Sequence, residues 1–442
     1  VSLQRRLGVA DLTLISIGAV IGSGIFRNPA VVAQRAHAPE LIVGCWVAGG
    51  ILALIGAFVF AELASRHPVS GGLYAYLRDA FHPVVAFIFG WTALLIADTG
   101  GTAASAVLFS GYFVTYIAPI FNVATIDTRL VAVVTLAIIG GINLLGVRQG
   151  STWQNILVAL KVTAIVAVIA AGLLGHPAAP QAAPLAGFAS TGTLLGAVGF
   201  AMLPVLFAYN GFQGATYLAA ETIQPERTLP RGLIAGVSAV VVIYVLVNIG
   251  CIHILGAGGL AATKTPAADV LQASIGPIGG RIVAIAIAIS TLGFMSTRML
   301  LAPRIYFQMA ADGTFFKQLA WISPRTHVPM VAIALQTIFA AAIAASGAYD
   351  QIVNWVTGPE WLFIMLAACA LFVFRRRDKG GEHRGVRVPG HPYTTALLIV
   401  TILAVFVAEF AAAPKDTIYG ITVLASGALF YYLWQRMKQR TA

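Results

Sequence analysis

The chain has 442 residues, of which 59% are hydrophobic and only 10% charged, with a formal charge of +11 at pH 7. A mean hydropathy of +0.88 leaves too little polar surface for a water-soluble globule, so the composition points to an integral membrane protein in a lipid bilayer. The positive charge does not argue for a nucleic-acid partner, because the basic residues lie in short loops between apolar runs and form no arginine-rich arm.

In chain order, runs of about 20 apolar residues predict twelve spans. They lie near 12–34, 41–64, 83–114, 129–147, 153–174, 193–219, 232–256, 279–306, 330–347, 351–374, 394–413 and 416–435. Arg5, Arg6, Arg66, Arg78, Arg148, Arg227, Arg231, Arg304, Lys317, Arg325, the cluster from Arg375 to Arg387, and Arg436, Lys438 and Arg440 fall on one side. Only Arg27, Arg35, Arg129, Lys264, Arg281 and Lys415 fall on the other. The asymmetry places the richer side, and both termini, in the cytoplasm of a multi-pass cell-membrane protein. The first run continues past Gly24 without a small-residue cleavage pattern, so no cleavable signal is expected. Cys45, Cys251 and Cys369 fall in apolar runs as small hydrophobes, and no structural disulfide is expected.

The polar stretch from Arg375 to Pro392 sets the last two spans apart, and no polar segment is long enough to fold alone. Residues 1–442 therefore read as a single transmembrane domain. It comprises a first five-helix repeat over 12–174, a second over 193–374 and two last helices over 394–436. Because five is odd, the second repeat enters the membrane inverted relative to the first. The expected fold is all-α, with twelve transmembrane helices, a 5+5 inverted repeat, and broken helices 1 and 6.

The breaks carry the chemistry. Bare backbone in hydrocarbon costs several kcal/mol per unsatisfied group, so interrupted helices survive where they face protein or a watery cavity. Gly22, Ser23, Gly24 and Ile25 interrupt the first run. The half-helix beyond them would offer free N–H groups to a carboxylate, and the carbonyls of Ala19 and Val20 would suit an ammonium. A glycine-rich packing surface is the competing reading. In the sixth run, Phe207-Ala208-Tyr209-Asn210-Gly211-Phe212 puts a helix-disfavouring Asn-Gly in mid-span, followed by Gln213 and Glu221. Carbonyls at Phe207 and Asn210 would join those of the first break, and the Phe207 ring would close over a ligand. Breaks at mirrored positions favour a solute site over plain packing.

Four stretches together carry a resemblance. They are Gly22-Ser23-Gly24-Ile25-Phe26; Ala61-Glu62-Leu63 with Pro68, Ser70-Gly71-Gly72 and Tyr74-Ala75-Tyr76; Phe207-Ala208-Tyr209 with Gly211; and Glu221 with Pro225-Glu226-Arg227 and Leu229-Pro230-Arg231. In these the chain resembles the amino acid–polyamine–organocation superfamily, and within it the L-type amino acid transporter branch and its bacterial relatives. The resemblance implies substrate binding between the first and sixth spans and alternating access by rocking of helix bundles.

Lys161 sits inside an apolar run, where a lysine costs about 2.5–3.5 kcal/mol, so it should face the interior and find a partner. Snorkelling to the interface is the competing reading. The resemblance implies that this lysine replaces the cation that sodium-driven members hold between the first and eighth spans, tying the first break to the fifth and eighth helices. The chain departs from the branch at Arg27, where small or apolar residues are usual, and at Asn210, where many bacterial relatives have an acid. The loop between the third and fourth spans lacks the cysteine through which animal members join a glycoprotein, so no disulfide-linked subunit is expected.

Three further charges lie within the apolar runs. Asp98 reads either as a cavity group that binds a cation or carries a proton, or as a buried protonated acid. Glu360, next to Trp361, reads either as an external gate or as a helix-entry carboxylate. Arg298 is expected at the cytoplasmic interface or paired with an acid such as Glu62.

These readings converge on a secondary transporter of neutral L-amino acids, sodium-independent and working by exchange. Its substrate-binding residues would be Ala19, Val20, Gly22, Ser23, Gly24, Ile25, Phe207, Ala208, Asn210, Gly211, Gln213 and Asp98, with Lys161, Glu360 and Trp361 as coupling or structural groups. A proton-coupled cationic amino acid or polyamine carrier is the alternative, favoured if Asp98 faces the site. An enzyme fits poorly, because most histidines lie in loops and no metal-ligand pair or phosphate-cradling loop is present, so neither metal nor cofactor is expected.

Overall fold

The computed structural model describes residues 3–22, 24–117, 126–176, 191–346, 349–378, 385–412 and 414–441. Helix α1 (Val9–Val20) starts where the Asp11 carboxylate accepts the Gly8 N–H at 3.0 Å, which satisfies one of the donors a helix start leaves over. It stops at Ile21, whose ψ of 99° is extended, and α2 (Gly24–Ala36) resumes at a 48° bend. Helix α3 (Pro39–Arg66) leads through the short α4 (Leu73–Ala80) to α5 (Pro83–Thr92). A π-helical turn at Ala93–Ala97 joins α5 to α6 (Asp98–Tyr112), and a second follows at Phe113–Ile117. Helices α7 (Thr128–Leu144) and α8 (Val147–Leu174) complete the first half.

In the second half, α9 (Thr191–Tyr209) gives way to a tighter 3-10 segment, Phe212–Glu221. Then come α10 (Pro225–Ala262), α11 (Pro266–Ile275), α12 (Ile278–Leu301), α13 (Pro303–Ala311), α14 (Met330–Ser346) and α15 (Tyr349–Arg377). Helices α16 (Tyr393–Ala412) and α17 (Pro414–Thr441) close the chain. Among the described residues, five continuous stretches are long and apolar enough to cross a bilayer: Pro39–Arg66, Pro83–Tyr116, Val147–Leu174, Pro225–Ala262 and Ile278–Ala311. The bent pair α1 and α2 makes a sixth. The seventh expected span, near 232–256, is longer at both ends, and Gly256 kinks it with a φ of 66°.

Helix α10 packs along α3 and α1, and α12 packs along α6 and α8. Close backbone contact needs small residues, and a Cβ at Gly172 of α8 would stand 2.8 Å from the Gly250 Cα of α10. Trp46, Tyr209 and Tyr244 fill the junction of α3, α9 and α10, with ring centroids 5.5 Å apart for Trp46–Tyr244 and 5.0 Å for Tyr209–Tyr244. Cys45 and Cys251 are buried as free thiols. Leu130, Ile138, Val242, Val400 and Leu429 stand exposed around the outside, a distribution that suits lipid and would be an aggregation liability in water. The protein is a multi-pass, all-helical membrane protein.

The end that carries the N-terminus is sealed by polar contacts. The N–H groups of Arg6 and Leu7 donate to the Glu221 carbonyl at 2.8 and 3.0 Å, and Ile223 N–H donates back to Leu7 O at 3.0 Å. The buried Glu221 carboxylate accepts two bonds from Arg304, at 3.0 and 2.9 Å. Glu62 accepts from Arg66, from Nε and Nη2 of Arg375 and from the Val388 N–H, so it is fully engaged without Arg298. The expected pairing of Arg298 with Glu62 is therefore not formed.

Candidate substrate site between two broken helices

Both breaks line one cavity of about 820 Å³, which runs from the break along α2 toward the end opposite the N-terminus and has Arg27 and Lys264 on its wall. Lys161 reaches the first break from α8. It is fully buried and donates to Gly18 O at 3.1 Å and Ile21 O at 2.5 Å. These two bonds supply donors to carbonyls that the end of α1 would otherwise leave bare. The side chain is thus not at an interface. Ser290 of α12 donates to Gly22 O at 3.4 Å.

The second break turns at Gly211, whose φ of 106° is a left-handed conformation that favours glycine. Asn210 Oδ1 accepts the Gly211 N–H at 2.6 Å and so supplies the turn with its own cap. A Cβ at Gly211 would lie 2.3 Å from the Ala19 carbonyl oxygen, so the two broken helices touch backbone to backbone here. Tyr244 joins the same crossing, its hydroxyl lying 3.4 Å from Val20 O and 3.2 Å from Ala208 O.

Val20, Gly22, Gly24, Phe207, Ala208, Asn210 and Glu360 line the cavity, whereas Ser23 lies outside the described residues. The others pack behind the wall. The Ala19 carbonyl is turned against Gly211, not toward the cavity, because the two chains cross there. Ile25 is buried beside Phe26, Ile165 and Val247. Gln213 is buried and donates to Glu360 Oε1 at 3.0 Å, and Trp361 is buried.

The intramembrane charges are arranged differently from the sequence reading. Arg298 lines the cavity, with Nη1 2.6 Å from Asp98 Oδ1 and 3.7 Å from Glu360 Oε1. Asp98 is thus the partner of a guanidinium and not an open cation site. Glu360 is not a helix-entry residue, since α15 begins at Tyr349, and Asn210 Nδ2 donates to its Oε2 at 3.0 Å. Tyr244 is a site residue that sequence reading missed, and Arg298 was noticed but expected at the cytoplasmic interface or on Glu62. The signal for Arg298 was present, because a lone arginine in an apolar run requires an acid at similar depth, and Asp98 and Glu360 were the two at hand.

Interrupted membrane helices converging on a solute-sized cavity define a transporter and not an enzyme. The chain belongs to the amino acid permease family, whose sequence profile matches residues 7–433. It is 31% identical over 445 residues to the b(0,+)-type amino acid transporter 1 of Homo sapiens, covering 99% of this chain and 89% of that one. It is 28% identical to the serine/threonine exchanger SteT of Bacillus subtilis (strain 168), covering 90% of this chain and 89% of that protein. With the large neutral amino acids transporter small subunit 2 of Mus musculus it shares 26% identity, covering 98% and 82%.

Proposed function

We propose that this protein is a sodium-independent exchanger of neutral L-amino acids in the cell membrane. In this reading the chain crosses the membrane twelve times with both termini cytoplasmic, and residues 12–174 and 193–374 form the inverted repeats around the site. The observation that carries it is the joint lining of one cavity by both breaks, with the positive end of α2 at Gly24 beside the backbone of Phe207 and Ala208. The first N–H groups of α2 are the natural partners of the α-carboxylate. Carbonyls at the breaks would take the α-ammonium. Lys161 supports sodium independence, because a tethered ammonium already occupies the carbonyls of Gly18 and Ile21.

The names of the relatives support amino acid exchange as the activity, and the absence of a cysteine between the third and fourth spans supports a chain that works without a disulfide-linked subunit. The burial of Asp98 against Arg298 weakens the proton-coupled cationic amino acid or polyamine alternative. The test is uptake of labelled neutral L-amino acids by proteoliposomes. Uptake should require internal amino acid and ignore sodium and pH gradients. Sodium-stimulated uptake, or uptake into empty vesicles driven by a proton gradient, would overturn the reading.

A further inference from the structure

Four elements contribute to one polar chain in the cavity wall: Asp98 at the start of α6, Arg298 near the end of α12, Glu360 in α15, and the second break. Arg298 stands between the two carboxylates, at 2.6 Å from Asp98 and 3.7 Å from Glu360. Glu360 accepts Asn210 Nδ2 on one oxygen and Gln213 Nε2 on the other, each at 3.0 Å. The side chains of Arg298, Asp98 and Glu360 are only 14%, 6% and 9% exposed. Arg298 also lies over the Phe294 ring, 5.1 Å from its centroid, which braces the guanidinium on an apolar face.

The consequence concerns which side chains the wall will accept. Its charges are engaged with one another before any ligand arrives, and an ion taken from water into such a place without a partner loses several kcal/mol. A cationic side chain meets two carboxylates against one guanidinium, so the wall does not repel it. An anionic side chain would need Arg298, already shared between two carboxylates that repel it. A side chain without net charge meets no such repulsion. Arg27 and Lys264 lie on the exposed part of the cavity, where salt screens them, so they do not set the choice at the buried wall.

Resting on the exchanger reading above, we infer that the Asp98–Arg298–Glu360 trio is the side-chain filter of the cavity. With two carboxylates against one guanidinium it admits uncharged side chains and excludes anionic ones. Asp98 acts through Arg298 as a positioning residue, while Arg298 and Glu360 face the ligand.

The test is counterflow of labelled L-serine into liposomes that contain the purified full-length protein and internal L-serine, with L-threonine, L-lysine and L-glutamate as competitors. In the wild type, L-threonine should compete and L-glutamate should not. Arg298→Gln removes the guanidinium from between two carboxylates and should lower the half-inhibitory L-lysine concentration by at least about tenfold. Glu360→Gln, which keeps the shape of the side chain, should do the same for L-glutamate and not for L-lysine. It keeps the filter testable should the arginine variant fail to fold. Equal inhibition of the wild type by all three competitors, or an unchanged competitor order in folded Glu360→Gln, would overturn the filter alone. Absence of counterflow with every neutral amino acid would overturn the exchanger reading and the filter with it.

Discussion

At the first break the last carbonyls of α1 meet an ammonium from α8, whereas at the second the amides of Asn210 and Gln213 meet a carboxylate from α15. Each interruption is thus held by a charge brought from a neighbouring helix, and the two charges have opposite sign. The difference follows from what each break leaves over. Helix α1 ends with carbonyl oxygens at Gly18 and Ile21 that need donors, so a cation suits it. The second break carries Asn210, whose Oδ1 caps Gly211 and whose Nδ2 is left to donate to Glu360, so an anion suits it. A site assembled this way has its ordering built in, and a ligand can act on the balance between the breaks without having to create either.

The largest expected effect comes from joining the breaks where they must only touch. Gly211→Val puts a β-branched residue at a φ of 106° and a Cβ 2.3 Å from Ala19 O, which should abolish transport and sharply reduce folded yield. Gly44→Ala, where a Cβ meets nothing within 4 Å, should leave melting temperature and uptake unchanged, and size-exclusion profiles with thermal melts would show the contrast. Next is Lys161→Ala, which strips the cation from Gly18 O and Ile21 O. Exchange should fall at least about tenfold, since a buried group left without its charge partner costs 1–3 kcal/mol or more. Exchange at the wild-type rate in that variant would show that the first break holds without the ammonium.

How much of this was legible in the sequence depends on whether the signal was local. The breaks were, because Gly22-Ser23-Gly24 and Asn210-Gly211 disfavour helix by themselves, and so was Lys161, because one charge in an apolar run is conspicuous. Asp98, Arg298 and Glu360 were each noticed, yet their association depends on how α6, α12 and α15 are rotated about their axes, which no single run encodes. Glu360 misled for a definable reason. It follows Gly358-Pro359, a combination that reads as a helix start, although α15 runs through it from Tyr349. The Ala19 carbonyl was assigned to the cavity because the crossing with Gly211 is a tertiary contact invisible to spacing.

The smallest expected effect separates contact between the breaks from support of each. Tyr244→Phe removes the hydroxyl that lies against Val20 O and Ala208 O but keeps the ring packed on Trp46 and Tyr209. One lost hydrogen bond of about 1 kcal/mol predicts a roughly fivefold weaker apparent affinity in concentration-dependent uptake, with the melting temperature nearly unchanged.

The central claim is that backbone at both breaks holds both ends of an α-amino acid. The most direct measurement is thermal stabilisation of the purified protein by L-serine compared with ethanolamine, which has the same hydroxyl and amine without the carboxylate, and with 3-hydroxypropanoate, which lacks only the amine. The account predicts a clear rise in melting temperature with L-serine and little or none with either truncated ligand, because each leaves site groups without a partner. Equal stabilisation by L-serine and ethanolamine would contradict it and remove the α2 N-terminus from the site.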